Sequence, residues 1–203
     1  MKASRALACC ALLAALSLSA HADVANGTNS AQAELDFEIV IGKFLFFRVG
    51  AGAYPAASST VNTVSFNAVP TIPPGAVTPL PGNNTTVNWS GALPAFTTTA
   101  TSLPVEVRSN AGQVSIRAIV TTPLASGANT IPMSQIVLSS SDANLPAPVV
   151  PDAGTGAAVT VAGSAFGNLV TTRSANWTFS YNPLATQRAG NYNGTISFTA
   201  SSP

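Results

Sequence analysis

Proline and glycine interrupt this chain so often that no long amphipathic helix fits into residues 23–203. The sequence contains 15 Pro and 15 Gly, and no window of about 11 residues after residue 22 repeats its apolar side chains at the helical period. Short stretches instead alternate apolar and polar side chains, which is typical of half-buried β-strands. The sequence therefore predicts an all-β protein, with residues 23–203 forming a single immunoglobulin-like or jelly-roll β-sandwich of about eight to ten strands. A closed barrel of the lipocalin kind is the structural alternative.

The clearest alternation lies at the C-terminal end. One parity is occupied by the apolar residues of this stretch, which are Tyr192, Ile196, Phe198 and Ala200. The other parity is polar, so one face of a strand should meet the core and the other should meet water. We expect a C-terminal core strand built on Tyr192, Ile196 and Phe198. A preceding strand is predicted on the same grounds from Trp177, Phe179 and Tyr181.

The middle of the chain predicts a hairpin. Apolar and charged side chains alternate over residues 105–108, turn-forming residues occupy positions 109–112, and apolar side chains alternate again over residues 114–120. The charged members of these strands are expected on the solvent face or in weak cross-strand pairs: Glu106, Arg108 and Arg117.

Three stretches before the hairpin complete the plan of the sandwich. The apolar run of residues 44–49 predicts a strand buried on both faces, with an exposed aromatic patch as the alternative. Residues 60–66 predict a further strand. Residues 68–82 hold several prolines and are predicted to be an irregular surface loop, because proline cannot donate to a β-ladder.

Residues 1–22 have the pattern of a cleaved secretory signal peptide. Lys2 and Arg5 precede the apolar run of residues 6–18, and small residues lead up to a predicted cleavage site after Ala22. A transmembrane helix is the alternative, but the run is shorter than the roughly 20 residues that span a bilayer. The pattern predicts export to the periplasm, the cell surface or the extracellular space.

Residues 23–203 lack the side chains that most enzymes use. They contain no Cys and no His, and their six basic and seven acidic residues give a formal net charge of 6 − 7 = −1. Histidine-dependent triads, cysteine nucleophiles and the usual zinc sites are thereby excluded. There is no basic patch for nucleic acid and no later apolar stretch long enough to span a membrane. We predict a non-enzymatic protein with no catalytic residues, no cofactor and no metal.

A second alternating stretch lies near the predicted start of the exported chain. Its apolar residues share one parity: Leu35, Phe37, Ile39 and Ile41. The opposite parity begins with the acidic residues Glu34, Asp36 and Glu38. Residues 23–41 are therefore interpreted as a polar leader followed by a strand. That strand is either the first strand of its own sandwich or a strand that is donated to another molecule.

Residues 189–199, Ala-Gly-Asn-Tyr-Asn-Gly-Thr-Ile-Ser-Phe-Thr, resemble the last strand of secreted bacterial β-sandwich subunits. The resemblance is to the spore-coat-U-like pilins of archaic chaperone–usher systems, and more loosely to surface domains named after a Trp-x-Leu motif. It implies a sandwich that lacks one strand, which the N-terminal extension of the next subunit supplies by β-augmentation. The possible assembly strand is then formed by Leu35, Phe37, Ile39 and Ile41.

The resemblance also implies a function and partners. The chain would be a structural or adhesive subunit of a fimbria-like bacterial surface appendage, with a role in cell adhesion and biofilm. Its partners would be further copies of itself or other pilus-type subunits, and a periplasmic chaperone. The alternative is a monomeric periplasmic or secreted module that binds a carbohydrate or peptide through loops bearing Trp89, Phe96 or the Pro-rich segment.

Overall fold

The computed structural model describes residues 24–52, 54–58, 60–71 and 95–203. The predicted signal peptide and residues 72–82 of the Pro-rich stretch lie outside these residues. The chain divides into two units, Met1–Ile41 and Gly42–Pro203. Of the first unit, residues 24–41 are described, and they form neither helix nor strand. All strands of the described residues belong to the second unit.

The regular secondary structure of the second unit consists of antiparallel strands and one short 3-10 turn. In chain order these are β1 (Leu45–Val49), β2 (Val69–Thr71), β3 (Ala95–Thr97), β4 (Thr101–Ser109), β5 (Ser115–Ser126), β6 (Asn129–Ile131), β7 (Ile136–Ser140), β8 (Gly154–Thr155), β9 (Val159–Thr160), β10 (Thr171–Tyr181) and β11 (Asn193–Ser201). One 3-10 turn, Met133–Gln135, is the helical element of the described residues. The prediction of an all-β protein is confirmed.

The strand order is that of an immunoglobulin-like sandwich. One sheet has the order β1-β4-β10-β7, and a second contains β11 and β5, with β6, β8 and β9 paired along β5. Immunoglobulin domains arrange strands A, B, E and D in one sheet and C, F and G in the other. Strands β1, β4, β10 and β7 therefore correspond to A, B, E and D, while β5 and β11 correspond to C and F. Strands β2 and β3 form a separate two-stranded ribbon.

The core lies between the two sheets and is centred on Trp177. This side chain is fully buried, and its neighbours include Val107 from β4 and Ile116 from β5. Its indole Nε1 donates a hydrogen bond of 3.2 Å to the carbonyl oxygen of Leu145. A buried indole needs such a partner, because an unpaired N–H in an apolar core costs free energy. The alternation predicted over Trp177 and Phe179 is confirmed.

The predicted hairpin over residues 105–120 is wrong. Strands β4 and β5 are the expected strands, but they lie in different sheets and do not pair with each other. Val107 and Ile116 are both fully buried, so the two strands place their apolar faces on opposite sides of one core. Period-two alternation shows which side chains are buried, and it is the same for two strands that pair and two strands that face each other.

Three further expectations also need correction. Strand β1 is an edge strand rather than one buried on both faces, since among the described strands it pairs only with β4, and Leu45 remains 38% exposed. Residues 60–66 belong to no strand, although every second side chain from Asn62 to Phe66 is half-buried. Pro70, within the predicted irregular loop, lies in β2 opposite Phe96 of β3. Proline is tolerated there because β2 has a single partner strand.

Candidate functional site

The second sheet of the sandwich has one unpaired edge next to β11. Strand β11 pairs with β5 along one edge, and no strand of the described residues pairs with its other edge. In a complete immunoglobulin-like domain this position is occupied by strand G, which is the neighbour of strand F. An unpaired strand edge presents a row of free N–H and C=O groups to which another strand can add.

Apolar side chains on β11, on the neighbouring β1 and on the segment that follows β1 pack against the core without being fully covered. They come from β1, from residues 61–68 and from β11: Phe47, Val49, Val64, Phe66, Ile196, Phe198 and Ala200. All seven pack against the core but are only half-buried. Strand β1 also approaches β11, with Cα atoms of the two strands within 8 Å of each other. We call these seven side chains, together with the unpaired edge of β11, the open edge.

The opposite side of the sandwich is closed. The other edge of β5 is paired in turn with β9, β8 and β6. Residues between β7 and β10 supply Leu145 and Val161, which are fully buried, and Val150, which is 2% exposed. Half-buried apolar side chains also occur on this side, including Leu138 of β7 and Val159 of β9. The unpaired backbone edge, rather than incomplete burial, therefore distinguishes the β11 side of this sheet.

Residues 61–68 are fastened to the end of β1 by Asn62. The Asn62 side-chain amide donates to the carbonyl oxygen of Val49 at 3.2 Å, and its oxygen accepts from the N–H of Ala51 at 3.4 Å. Farther along, Phe66 packs against Tyr181 with ring centroids 6.0 Å apart. The segment buries alternate side chains, yet its backbone joins no ladder.

The predicted assembly strand has a different environment. Its four apolar side chains are largely exposed: Leu35 by 64%, Phe37 by 84%, Ile39 by 82% and Ile41 by 77%. Residues 34–41 form no β-strand, so the interpretation as the first strand of its own sandwich is not what the structure shows. The alternation describes the side chains, but a strand also needs a partner with free backbone groups.

The predicted C-terminal core strand is observed with one difference. Ile196 and Phe198 lie on β11 and pack against the core. Tyr192 precedes the strand, and its hydroxyl donates to the carbonyl oxygen of Arg188 at 2.8 Å. The pairing with β5 is irregular between Asn193 and Ile196. In this stretch four residues of β11 lie opposite six of β5 (residues 120–125), so the bulge is on β5, and Tyr192 is half-buried just before β11 begins.

A charged cluster fastens β1 to β4. Glu106 is 8% exposed; its Oε2 lies 2.9 Å from Arg48 Nη2 and its Oε1 lies 2.6 Å from Arg108 Nε. Arg48 and Glu106 are directly opposite each other in the β1–β4 register. The Arg108 guanidinium also lies 4.4 Å from the ring centroid of Tyr54. A cross-strand pair is observed, but its cation is Arg48 of β1 rather than a member of the predicted hairpin, and Glu106 is buried rather than on the solvent face.

One cavity competes with the open edge as a candidate site. It has a volume of about 430 Å³, and its lining includes Gln135, Gln187, Arg188 and Tyr192. Gln187 Nε2 donates to Gln135 Oε1 at 2.6 Å, and Tyr192 donates to the backbone of Arg188. The side chains of Gln135, Gln187 and Tyr192 therefore already have hydrogen-bond partners. Of the loop residues expected to bind a ligand, Phe96 lies in β3 and Trp89 falls outside the described residues.

The described residues offer little for metal chemistry. No three or more His, Cys, Asp or Glu side chains in this part of the chain are grouped so that they could hold an ion. Asp152 accepts a hydrogen bond of 2.9 Å from the N–H of Ser134. Hydrogen bonding by Ser134 lowers the pKa of the Asp152 carboxyl. No helix in the described ranges is long and apolar enough to cross a membrane.

Comparisons of the chain with protein-family models, with curated proteins and with solved structures find no match.

Proposed function

We propose that this protein is an exported, non-enzymatic structural or adhesive subunit of a bacterial fimbria-like surface appendage, assembled by β-strand complementation. Residues 34–41 of one copy add to the open edge of the next copy. The observation that carries the proposal is the absence, in the described residues, of a strand at the position of immunoglobulin strand G. The resemblance of residues 189–199 to pilin subunits supports the same reading.

The two surfaces agree in length. At about 3.3 Å per residue, the eight residues of the donated segment extend over roughly 26 Å, and the nine residues of β11 over roughly 30 Å. One added strand can therefore cover most of the unpaired edge. Its N–H and C=O groups would satisfy those of β11, in the mode of peptide recognition in which a strand extends a sheet.

The two surfaces also agree in chemistry. The donated segment exposes Leu35, Phe37, Ile39 and Ile41 on one parity, and the open edge has an apolar floor. Transfer of such side chains from water contributes about 1.5–3 kcal/mol each, or roughly 6–12 kcal/mol together, before the cost of ordering the segment. A head-to-tail contact of this kind does not close on itself, so repeated addition produces a fibre.

The proposal is tested by gel electrophoresis of surface-extracted protein with and without boiling. Wild-type protein should give a ladder of bands that heating collapses to a monomer. Phe37→Asp should remove the ladder, because it places a carboxylate in the apolar floor. Val40→Asp is the matched control, since Val40 is 85% exposed on the opposite parity, and it should keep the ladder. A single monomer band from wild-type protein in both lanes would overturn the proposal.

The second candidate function is that of a monomeric carbohydrate- or peptide-binding module. The cavity beside Gln135 and Tyr192 supports it, because an aromatic ring flanked by amides is a common lining of sugar sites. A glycan array on wild-type and Tyr192→Ala protein discriminates between the two functions. Binding that depends on Tyr192, with no oligomer ladder, would favour the module.

A further inference from the structure

Building on the proposed strand addition, we infer that Arg117 of the accepting copy pairs with the acidic side chains of the donated segment. Glu34, Asp36 and Glu38 occupy the parity opposite the apolar residues of that segment. When the apolar side chains enter the core, these carboxylates reach the outer surface of the β5–β11 sheet, because successive side chains on a strand point to opposite faces.

That outer surface carries one charge among the described strand residues. Strand β11 presents uncharged polar side chains there: Thr195, Ser197, Thr199 and Ser201, with Asn193 at its start. Strand β5 presents Arg117, which lies directly opposite Thr199 in the register. Arg117 makes no hydrogen bond or ion pair with the residues that the structure describes, whereas Arg48 and Arg173 are both engaged. The outer surface therefore offers a cation with no acidic partner of its own.

The apolar pattern allows the donated segment more than one position. If the donated strand runs antiparallel to β11, two registers place both Phe37 and Ile39 opposite inward-facing residues of β11. In the first register, Phe37 lies opposite Phe198 and Ile39 lies opposite Ile196. In the second register, Phe37 lies opposite Ala200 and Ile39 lies opposite Phe198. The two differ by a slip of two residues along β11, which keeps every side chain on its face. Hydrophobic alternation alone does not choose between them.

Both registers bring a carboxylate to Arg117. The first places Asp36 opposite Thr199, and the second places Glu38 there. Strands in a sheet are about 4.8 Å apart, so the donated residue lies about 10 Å from Arg117 across one strand. Thr199 is short, which leaves the arginine side chain free to reach over it. Glutamate extends farther toward Arg117 than aspartate, so the pair favours the register that presents Glu38.

A peptide of residues 33–42 with a fluorescent label tests this pairing on the full-length chain. The acceptor carries Phe37→Asp, so that its own segment does not compete. Fluorescence anisotropy then measures the affinity of the peptide for this acceptor and for a second acceptor that also carries Arg117→Glu. Lys43→Glu is the matched charge reversal, since Lys43 is exposed in the residues before β1. We expect Arg117→Glu to weaken peptide binding about fivefold and Lys43→Glu to leave it unchanged.

A charge-swapped peptide gives the decisive comparison. The peptide with Asp36→Lys and Glu38→Lys should bind the Arg117→Glu acceptor better than the wild-type peptide does, and about 1 M NaCl should remove the difference. Equal affinity of the wild-type peptide for both acceptors would overturn the role of Arg117 and leave strand addition standing. Failure of the peptide to bind any acceptor would overturn strand addition and this pairing with it. If the thermal unfolding of the Arg117→Glu acceptor matches that of the acceptor without it, the acceptor is folded. Arg117→Ala is the second variant for the same comparison.

Discussion

The ring of Trp177 lies edge-on to the ring of Phe198, with centroids 5.3 Å apart and an interplanar angle of 65°. Trp177 belongs to β10 in one sheet and is fully buried, whereas Phe198 belongs to β11 in the other sheet and is half-buried. Edge-to-face aromatic pairs add about 0.5–1.5 kcal/mol to the effect of burial. This contact therefore joins the last strand to the opposite sheet directly beside the open edge.

Phe198→Ala should lower the free energy of unfolding by about 3 kcal/mol. The expected loss is at the lower end of the range for Phe-to-Ala changes in cores, because the ring is not fully buried. Urea denaturation followed by tryptophan fluorescence measures it, since Trp177 reports on this region. Thr199→Ala, on the outer face of the same strand, is the control and should change the free energy by less than about 0.5 kcal/mol. Equal effects of the two substitutions would contradict the inward orientation of Phe198.

The faces of the strands could be predicted from the sequence, but their partners could not. Alternation correctly identified Phe179 and Phe198 as core residues, because burial imposes a period of two on any strand. The same pattern gave no information on whether β4 pairs with β5 or faces it. Pairing is decided by long-range packing around Trp177 and by the turn between the strands, which contains Gly112 at φ +102°. A local pattern does not contain those interactions.

The open edge could be predicted only in part. Leu35 and Phe37 were recognised as apolar residues of a strand, and the resemblance suggested that this strand serves another subunit. Phe47 and Val49 were expected to be buried on both faces of a central strand, because their side chains lie in a continuous apolar run. The hydrogen bonds that the Asn62 side chain makes with Val49 and Ala51 could not be predicted. An asparagine within a predicted strand carries no signal of a long-range hydrogen bond.

Glu106→Gln should destabilise the fold by about 1–3 kcal/mol. The carboxylate is 8% exposed and accepts hydrogen bonds from two arginines, so an amide would leave both cations without a counter-charge in a partly buried site. Chemical denaturation of the variant measures the loss. Arg117→Ala provides the contrast, because Arg117 makes no ion pair within the described part of the chain, and it should be nearly neutral. A neutral effect of Glu106→Gln would show that the cluster lies too close to solvent to contribute.

Stability should fall at alkaline pH because of Tyr181. Burial raises the pKa of the Tyr181 hydroxyl above its ordinary value, and the hydrogen bond to Gln187 opposes that shift. The folded state therefore keeps its proton at a pH where the unfolded chain has lost it. The stability that this group contributes is complete below about pH 10 and is lost as the pH rises further. Thermal unfolding of Tyr181→Phe should depend less on pH above about 10 than that of wild type.

Cysteine cross-linking should determine how the donated segment lies against β11. Residues 23–203 contain no cysteine, so any disulfide in this part of the chain comes from the introduced pair. Facing residues on antiparallel strands have Cα atoms about 4.5–5.5 Å apart, within the range that a disulfide spans. One copy carries Val40→Cys and is mixed with a second copy that carries a cysteine on β11. The register with Glu38 opposite Thr199 sets Val40 opposite Ser197 and predicts a cross-linked dimer with Ser197→Cys.

The other antiparallel register moves Val40 opposite Thr195, so it predicts faster cross-linking with Thr195→Cys. Ser139→Cys is the control, because it lies on β7, an edge strand of the other sheet, and it should not react. The rates are compared on non-reducing gels under mild oxidation. Preference for Ser197→Cys agrees with a register chosen by Glu38 and Arg117, and Arg117→Ala should then reduce that preference. Cross-linking to Ser139→Cys as fast as to either β11 position would mean that the segment does not select the open edge.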